Sequence, residues 1–515
     1  MKGLFPMKQD LFKPWPEYFR SLTLRHLQRL IPLFLVVCMA TPSVAAVIDV
    51  TTYGAIPNDS ADDSLAIQNA IDAAPAGSTI YFPRGTYLLS AVTINNRSGL
   101  TLTGDGSTLT ILKRNGGYPK MFESSGSTDL TVTNLGFDAN GIVAYGGFNF
   151  YDAKRITITK NRFFDSNKQP VGQLDRYSWV FGRGSVPSED IVITDNLIED
   201  LQLEVDFGLR VRIEGNTIVR PVQTAGIGIF TVNDHTSAQD YIIRNNTIAD
   251  AVVSAGLITV ILDPSDNNFC TLQNFQIVGN RILYTIHMTG HGRSAIFLGT
   301  GNNGQSTTGN VFNNILIQNN VIYKDPLTYG IAGDADAFFF GNSSDTANFN
   351  FDNMSIIDNA IYNKEAWLPT IDIRNHGVNY VERNNSLLTM TTDLLAPSVP
   401  TALVVHSSNK QIDLLWNPSV DNAAVSGYRI YRNGSAYAQS TATSYSDSNL
   451  LPGTTYTYAV TAIDSNGQES AQSYSTAATT LSSPTVTTSS SPTASTSSAG
   501  RPPHSSTNGK KKGRI

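Results

Sequence analysis

The sequence predicts an all-β solenoid of stacked parallel coils, closed at its N-terminal end by a short helix and followed by a β-sandwich. Three observations predict it: an apolar pattern that recurs around asparagine, a single short helical pattern at residues 62–74, and a change of strand grammar near residue 395. Composition agrees. At 515 residues the chain is too long for one ordinary core, so several domains or an elongated repeat is required. Charged residues are 15% of the chain, and Gly, Asn, Ser and Thr are abundant, which suits strands and turns better than long helices. The net charge of −6 and the lack of a basic aromatic patch argue against nucleic acid as a partner.

Residues 1–46 read as a secretory signal. Arg20, Arg25 and Arg29 precede the apolar run from Ile31 to Ala40, which is too short to span a bilayer, and Val44-Ala45-Ala46 offers small residues for cleavage. Cys38 falls inside this segment, so the exported chain would hold Cys270 alone, a buried hydrophobe with no disulfide partner.

The first element after the signal is the helix. Asp62 or Asp63 caps it, Ile67, Ala70, Ile71 and Ala74 share one face, and Pro75-Ala-Gly77 stops it. Ser78–Phe82 and Tyr87–Leu89 then read as strands joined by Pro83-Arg84-Gly85. The first coil of a solenoid exposes an apolar end and open strand edges, and this stretch is its lid.

The coils follow. From about 100 to 390 the order apolar, any, apolar, two polar positions, Asn, any, apolar recurs, as in Ile156-Thr-Ile-Thr-Lys-Asn161-Arg-Phe163 and Ile191-Val-Ile-Thr-Asp-Asn196-Leu-Ile198. Copies end at Asn216, Asn246, Asn280, Asn320 and Asn359, and a weaker one at Asn385, spaced as repeats in a solenoid are. Period-two apolar residues on each side of a polar kink make two short strands. Stacking buries the apolar rows as continuous columns, and stacked Asn side chains can bond from coil to coil. Asn at the kink tolerates left-handed backbone, and the variable spacing falls in loops, where function is carried.

Here the sequence resembles a known family. Asp49-Val-Thr-Thr-Tyr53-Gly54-Ala55, Asp62-Asp63-Ser64 with Ala66-Ile67-Gln68-Asn-Ala70-Ile71, and Tyr81-Phe82-Pro83-Arg84-Gly85-Thr86-Tyr87 resemble the N-terminal segment of pectate-lyase-like right-handed parallel β-helix proteins. With the Asn repeats the resemblance covers 47–392, and it implies that fold and work on a polysaccharide. Next, Ile412-Asp-Leu-Leu-Trp416, Gly427-Tyr428-Arg-Ile-Tyr431 and Leu451–Ala462 resemble strands B, C and F of a fibronectin type III domain over 393–481, with Trp416 in its core and Tyr456 as its tyrosine corner. Such modules usually serve as spacers. Residues 482–515 are a Ser/Thr/Pro-rich tail with a basic end that could associate with a cell surface or wall.

No motif alone fixes the reaction. The family binds chains along one lateral groove, so candidates are polar residues just after strands of successive middle coils. Asp206, Arg210, Asp234, His235 and Asp263 form the strongest such set. Phe230–His235 is similar to the Tyr-Gly-Phe-Asp-Pro-His motif of mannuronan C5-epimerases, but Phe230 replaces its Tyr and Asn233 its Asp. Gly290-His291-Gly292 resembles the Gly-His-Gly of polygalacturonase-type hydrolases, without their Asn-Thr-Asp and Asp-Asp pairs upstream. An inverting hydrolase needs two carboxyls, which Asp206 with Asp234 or Asp263 could supply. β-Elimination needs a cation at the uronate carboxylate and a base for the C5 proton: Arg210, Arg293 or Arg374 suits the first role, His235 or His376 the second. A Ca²⁺ held by Asp206, Asp234 and Asp263 would also neutralise. Trp179, Phe181, Phe338 and Phe340 either stack on sugar rings or fill the coils, and Arg183 joins Trp179, Arg293, Arg374 and His376 as substrate-binding candidates. The expected protein is a secreted lyase on an acidic polysaccharide, with a glycoside hydrolase, a uronate epimerase and a non-catalytic glycan-binding or adhesion protein as alternatives.

Overall fold

A computed structural model describes residues 45–116, 121–141, 148–167, 178–181, 186–205, 208–232, 237–249, 252–263, 271–284, 294–300, 311–324, 338–341, 350–363, 371–373, 377–389, 396–421, 424–473 and 475–482. The expected signal and tail lie outside them. Each coil runs through three strands, and the strands stack into three parallel sheets of 12, 11 and 10 strands, named first, second and third in the order the chain visits them. One coil reads Gly208–Glu214, Thr217–Val219, Val222–Val232, and the next begins with Ser237–Arg244.

The core columns follow from period-two patterning. Ile158, Ile193, Ile213, Ile243, Ile277, Ile317 and Ile356 lie in register along the first sheet, and all are buried. Burying such side chains contributes roughly 1.5–3 kcal/mol each.

The asparagine ladder forms. In each link the Oδ1 of one Asn accepts from both the backbone N–H and the Nδ2 of the Asn one coil earlier, at 2.9–3.2 Å from Asn161 through Asn385. Each Nδ2 also donates to a first-sheet carbonyl one coil back, as Asn320 does to Ile277 at 2.9 Å. One expectation is corrected. The left-handed residue is not the ladder Asn but the one before it: Lys160, Asp195, Gly215, Asn245, Gly279, Asn319, Asp358 and Asn384 have φ of 54–65°. The kink thus separates two tasks, a left-handed turn residue facing out and an amide facing in.

The lid is a helix at Ser64–Ala73, with Ile67, Ala70 and Ile71 wholly buried. Asp63 holds the N-cap position without a side-chain cap bond, while Asp62, one residue earlier, accepts the Ser64 N–H at 2.8 Å. Asp63 does something else: its carboxylate accepts the N–H groups of Ile56 (2.8 Å) and Leu88 (3.0 Å), tying the helix to the first coil. Arg97 donates to the carbonyls of Ile71 and Ala74 at the helix C-terminus, where a cation is favoured.

After the solenoid, sheets of three and four antiparallel strands form the expected sandwich. Trp416 is 2% exposed against Tyr428, and the Tyr456 hydroxyl accepts the Leu451 N–H at 3.2 Å, the tyrosine corner. The sandwich docks on the solenoid. Arg281 pairs with buried Asp421 at 2.7 Å, and Val420 packs with Ala249, Leu283, Val321, Tyr323 and Tyr362.

Candidate functional site

Connection lengths mark out one face. From first to second sheet the link is always two residues, from Asn134-Leu135 to Asn384-Asn385, because the ladder admits no other length. The links flanking the third sheet are free to vary. Those entering it are long at 165–177, 285–293 and 325–337, yet only two residues at 200–201, 220–221 and 250–251. Those leaving it lengthen from 206–207 to 233–236, 264–270 and 301–310. Three adjacent rungs of the third sheet, Gln202–Val205, Val222–Val232 and Val252–Asp263, thus form a gap, or opening, in the series of long incoming connections. At about 4.8 Å per rung these three rungs span roughly 14 Å.

Its floor carries chemistry. Leu203 and Val205 point into the core, so Gln202 and Glu204 alternate onto the outer face. Both are nearly buried, at 1% and 5% exposure. Gln202 donates to the Glu204 carboxylate at 3.1 Å and accepts the Ala225 N–H at 3.1 Å, which fixes the amide's orientation. Along the face Glu204 is in register with Gly228, then Thr259, then Phe297. Gly228 is needed there: a Cβ would lie 2.4 Å from the Phe230 ring and 3.1 Å from the Gln202 amide nitrogen. The half-exposed Phe230 ring thus lies beside the Gln202–Glu204 pair. On the same face, two rungs before Glu204, Asn149 donates to the Tyr151 hydroxyl at 3.1 Å, and among the described residues its buried Oδ1 has no partner.

The model of a rhamnogalacturonase A/epimerase, pectate lyase-like family matches residues 47–325. The chain belongs to that family. A fibronectin type III model matches 397–478. Curated relatives include a poly(3-hydroxybutyrate) depolymerase of Ralstonia pickettii, 43% identical over 107 residues (21% of each chain), and exoglucanase B of Cellulomonas fimi, 40% identical over 100 residues (19% of this chain, 9% of the relative). The chain spans about a fifth or less of the length of these relatives. Among solved structures, the A-module of a mannuronan C-5 epimerase from Azotobacter vinelandii is 18% identical with a TM-score of 0.38, covering 67% of this chain and 100% of that one. That likeness is too slight to bear on function.

In this family member the expected site residues fall in three groups. Asp206, Asp234, His235, His291, Arg183, Arg293, Arg374 and His376 lie outside the described residues. In chain order they stand in connections that precede or follow third-sheet strands, among them 206–207, 233–236 and 285–293. Asp263 and Trp179 are described by backbone alone. Asp263 closes its third-sheet strand, paired with Val232, so the strand ends that lead to His235 and to Asp263 are side by side. Trp179 pairs with Leu203 and Phe181 with Val205, both interior positions, and Phe338 is wholly buried in the core.

Arg210 is the third case. It stands on the first sheet, not the third, in an outward column with Asp129, Arg155, Asp190, Asp240, Asn274, Asn314, Asn353 and Asn379, all at φ of 54–61°. Its guanidinium donates to Asp190 (2.6 and 3.1 Å) and Glu189 (2.7 Å). These hydrogen bonds, Asp190's first, raise the Arg210 pKa. Arg155 binds Asp129 the same way, and Asn274 and Asn314 continue the column by amide bonds. Arg210 is thus a rung of an exterior ladder and is directed at its own neighbours.

Sequence reasoning missed Gln202 and Glu204. The signal was present as polar residues alternating with Leu203 and Val205, followed one coil later by Gly226-Ile-Gly228-Ile-Phe230. Among the described residues no group of three or more His, Cys, Asp or Glu is placed to hold a metal ion. No helix among them is long and apolar enough to cross a membrane.

Proposed function

We propose that the chain is an exported enzyme that cleaves an acidic, uronate-containing polysaccharide by β-elimination across the opening in the third sheet. The observation that carries this reading is the opening itself: three rungs with minimal incoming connections, an outward Glu204–Gln202–Phe230 floor, and outgoing connections that bear Asp206, Asp234 and His235. In the proposed reaction His235 takes the C5 proton. Arg293, in the flanking incoming connection, offsets the substrate carboxylate, which stabilises the carbanionic charge developing at C5. The C4–O bond then breaks as the C4–C5 double bond forms, and an acid of the site, Asp206 or Glu204, protonates the leaving oxygen. Phe230 offers a ring for the apolar face of a sugar.

One observation favours a second reading. Glu204 is a nearly buried carboxyl on the outer face, and with Asp206 two residues on it could act as a carboxyl pair in an inverting hydrolysis. The test treats the purified chain with a panel of uronate polysaccharides, with and without EDTA, and follows the unsaturated-uronate absorbance together with reducing ends. Both rising supports elimination. Reducing ends alone support hydrolysis, and neither signal with retained binding supports a glycan-binding protein. His235→Ala is expected to abolish turnover, and unchanged turnover removes His235 from the mechanism.

A further inference from the structure

Between the ladder turns of the solenoid and the first segment of the sandwich lies a cavity of about 560 Å³, within the range of small-ligand sites and at the kind of domain junction where they form. Its two sides differ in chemistry. The sandwich side presents Pro397, Val399 and Pro400 together with Ser398, Thr401, Ser473 and Thr476, whose hydroxyls are engaged within the sandwich with Val420, Asn417, Val460 and Leu403. The solenoid side presents hydroxyls and amides: Thr217 and Thr247 are paired on adjacent rungs of the second sheet, with Asn245 at the mouth. Thr217 is 2% exposed and Thr247 8%. Two stacked, nearly buried hydroxyls facing a cavity offer donors and acceptors to whatever occupies it.

The charges do not select an ion. Arg281 is committed to Asp421, and Lys160 and Asp195 stand together at the lining with opposite sign. A wall of proline rings opposite a row of hydroxyls matches a molecule with one apolar face and a polar rim, which is the shape of a pyranose.

We propose that this cavity is a binding site for a short neutral oligosaccharide, built jointly by the solenoid and the sandwich and separate from the opening on the third sheet. The sandwich then supplies half of a site in addition to its docking contacts.

The experiment uses the full chain and a panel of neutral di- and trisaccharides (cellobiose, maltotriose, N,N′-diacetylchitobiose), with digalacturonic acid as the charged comparison, read by calorimetry and saturation-transfer NMR. Binding of at least one neutral sugar is expected. The double variant Thr217→Val, Thr247→Val keeps side-chain shape and strand preference but removes both hydroxyls. It should weaken binding about tenfold, equivalent to about 1.4 kcal/mol. Gln472→Trp, at the exposed mouth, should block it without touching the buried wall. Turnover on uronate polymers should be unchanged in all variants, so failure here is distinct from failure of the proposed reaction. The proposal is overturned if no neutral sugar binds at millimolar concentration, if digalacturonic acid alone binds, or if the double valine variant binds as the parent does.

Discussion

The adjacent residues Asn319 and Asn320 are chemically identical and structurally opposite, which makes them a sharp test of the ladder. Asn320 is wholly buried. Its Oδ1 accepts from the backbone N–H (2.9 Å) and Nδ2 (3.0 Å) of Asn280, and its Nδ2 donates to Ile277 (2.9 Å) and to Asn359 (3.0 Å). In Asn320→Ala the Asn359 Oδ1 keeps its bond from the residue-320 N–H, and the Asn280 Nδ2 keeps its bond to Ile243. The Asn280 backbone N–H and one lone pair of the Ile277 carbonyl are left unmet in a dry interior. At roughly 1–3 kcal/mol per unmet group, plus the emptied volume, the expected loss is about 3–5 kcal/mol. Asn319 is exposed at φ 54°, so Asn319→Gly relieves a left-handed side chain and should shift stability by less than about 0.5 kcal/mol. Urea denaturation of the two variants gives the comparison, with a changed slope flagging loss of cooperativity between coils. Hydrogen exchange at the Asn280 amide should accelerate in Asn320→Ala alone. Equal stabilities, within about 1 kcal/mol, would refute the ladder as a source of stability.

Three other outcomes are expected. Gly228→Ala drives the Phe230 ring off the Gln202–Glu204 pair and should lower turnover at least tenfold while the melting temperature falls by only a few degrees; unchanged turnover removes that floor from the site. Arg210→Ala should leave turnover unaltered, since its guanidinium serves Asp190 and Glu189, and a large loss of kcat would return it to the substrate. Burial pushes the Asp195 carboxyl up to about 6 from an ordinary 3.8. A carboxyl raised on folding costs nothing below its unfolded value and most above its folded one, so the parent loses stability as pH rises from about 4 to 6. Asp195→Asn should therefore stabilise by on the order of 1–2 kcal/mol at pH 7 and by almost nothing at pH 4, measured by denaturation at both.

What could be read from the sequence followed how local its signal was. The ladder was legible because Asn161, Asn196 and their successors each sit in the same short apolar frame. The helix and the tyrosine corner were legible for the same reason. Two features required register. Arg210 looked like a groove residue until pairing placed it between Asp190 and Asp240, which stand 20 and 30 positions away. The left-handed position falls one residue before the ladder Asn, a distinction hidden in the sequence because Asn suits both the turn and the ladder and only the backbone angles separate them. Glu204 lies within a strand, not after one, so its alternation with Leu203 and Val205 is the pattern that marks it. Docking of the sandwich had no local signal at all, since Arg281 and Asp421 are 140 residues apart.

That docking also bears on how the molecule unfolds. A spacer on a flexible joint melts independently of its neighbour, whereas a sandwich held by a desolvated ion pair and an apolar cluster melts with it. The Asp421 side chain is wholly buried in the contact and that of Arg281 is 18% exposed, so removing the carboxylate takes this charged partner from a guanidinium in a poorly hydrated place. Breaking one side of such a pair typically costs about 3–5 kcal/mol, more than the net worth of the pair itself. In calorimetry the parent chain should show solenoid and sandwich unfolding as one coupled transition. Asp421→Ala should split it, with the sandwich leaving at the lower temperature and the solenoid transition shifted down as Ala249, Leu283 and Tyr323 lose their cover from Val420. Two independent transitions in the parent itself, unmoved by the substitution, would mean that the sandwich is tethered rather than docked, and the cavity at the junction would lose one of its walls.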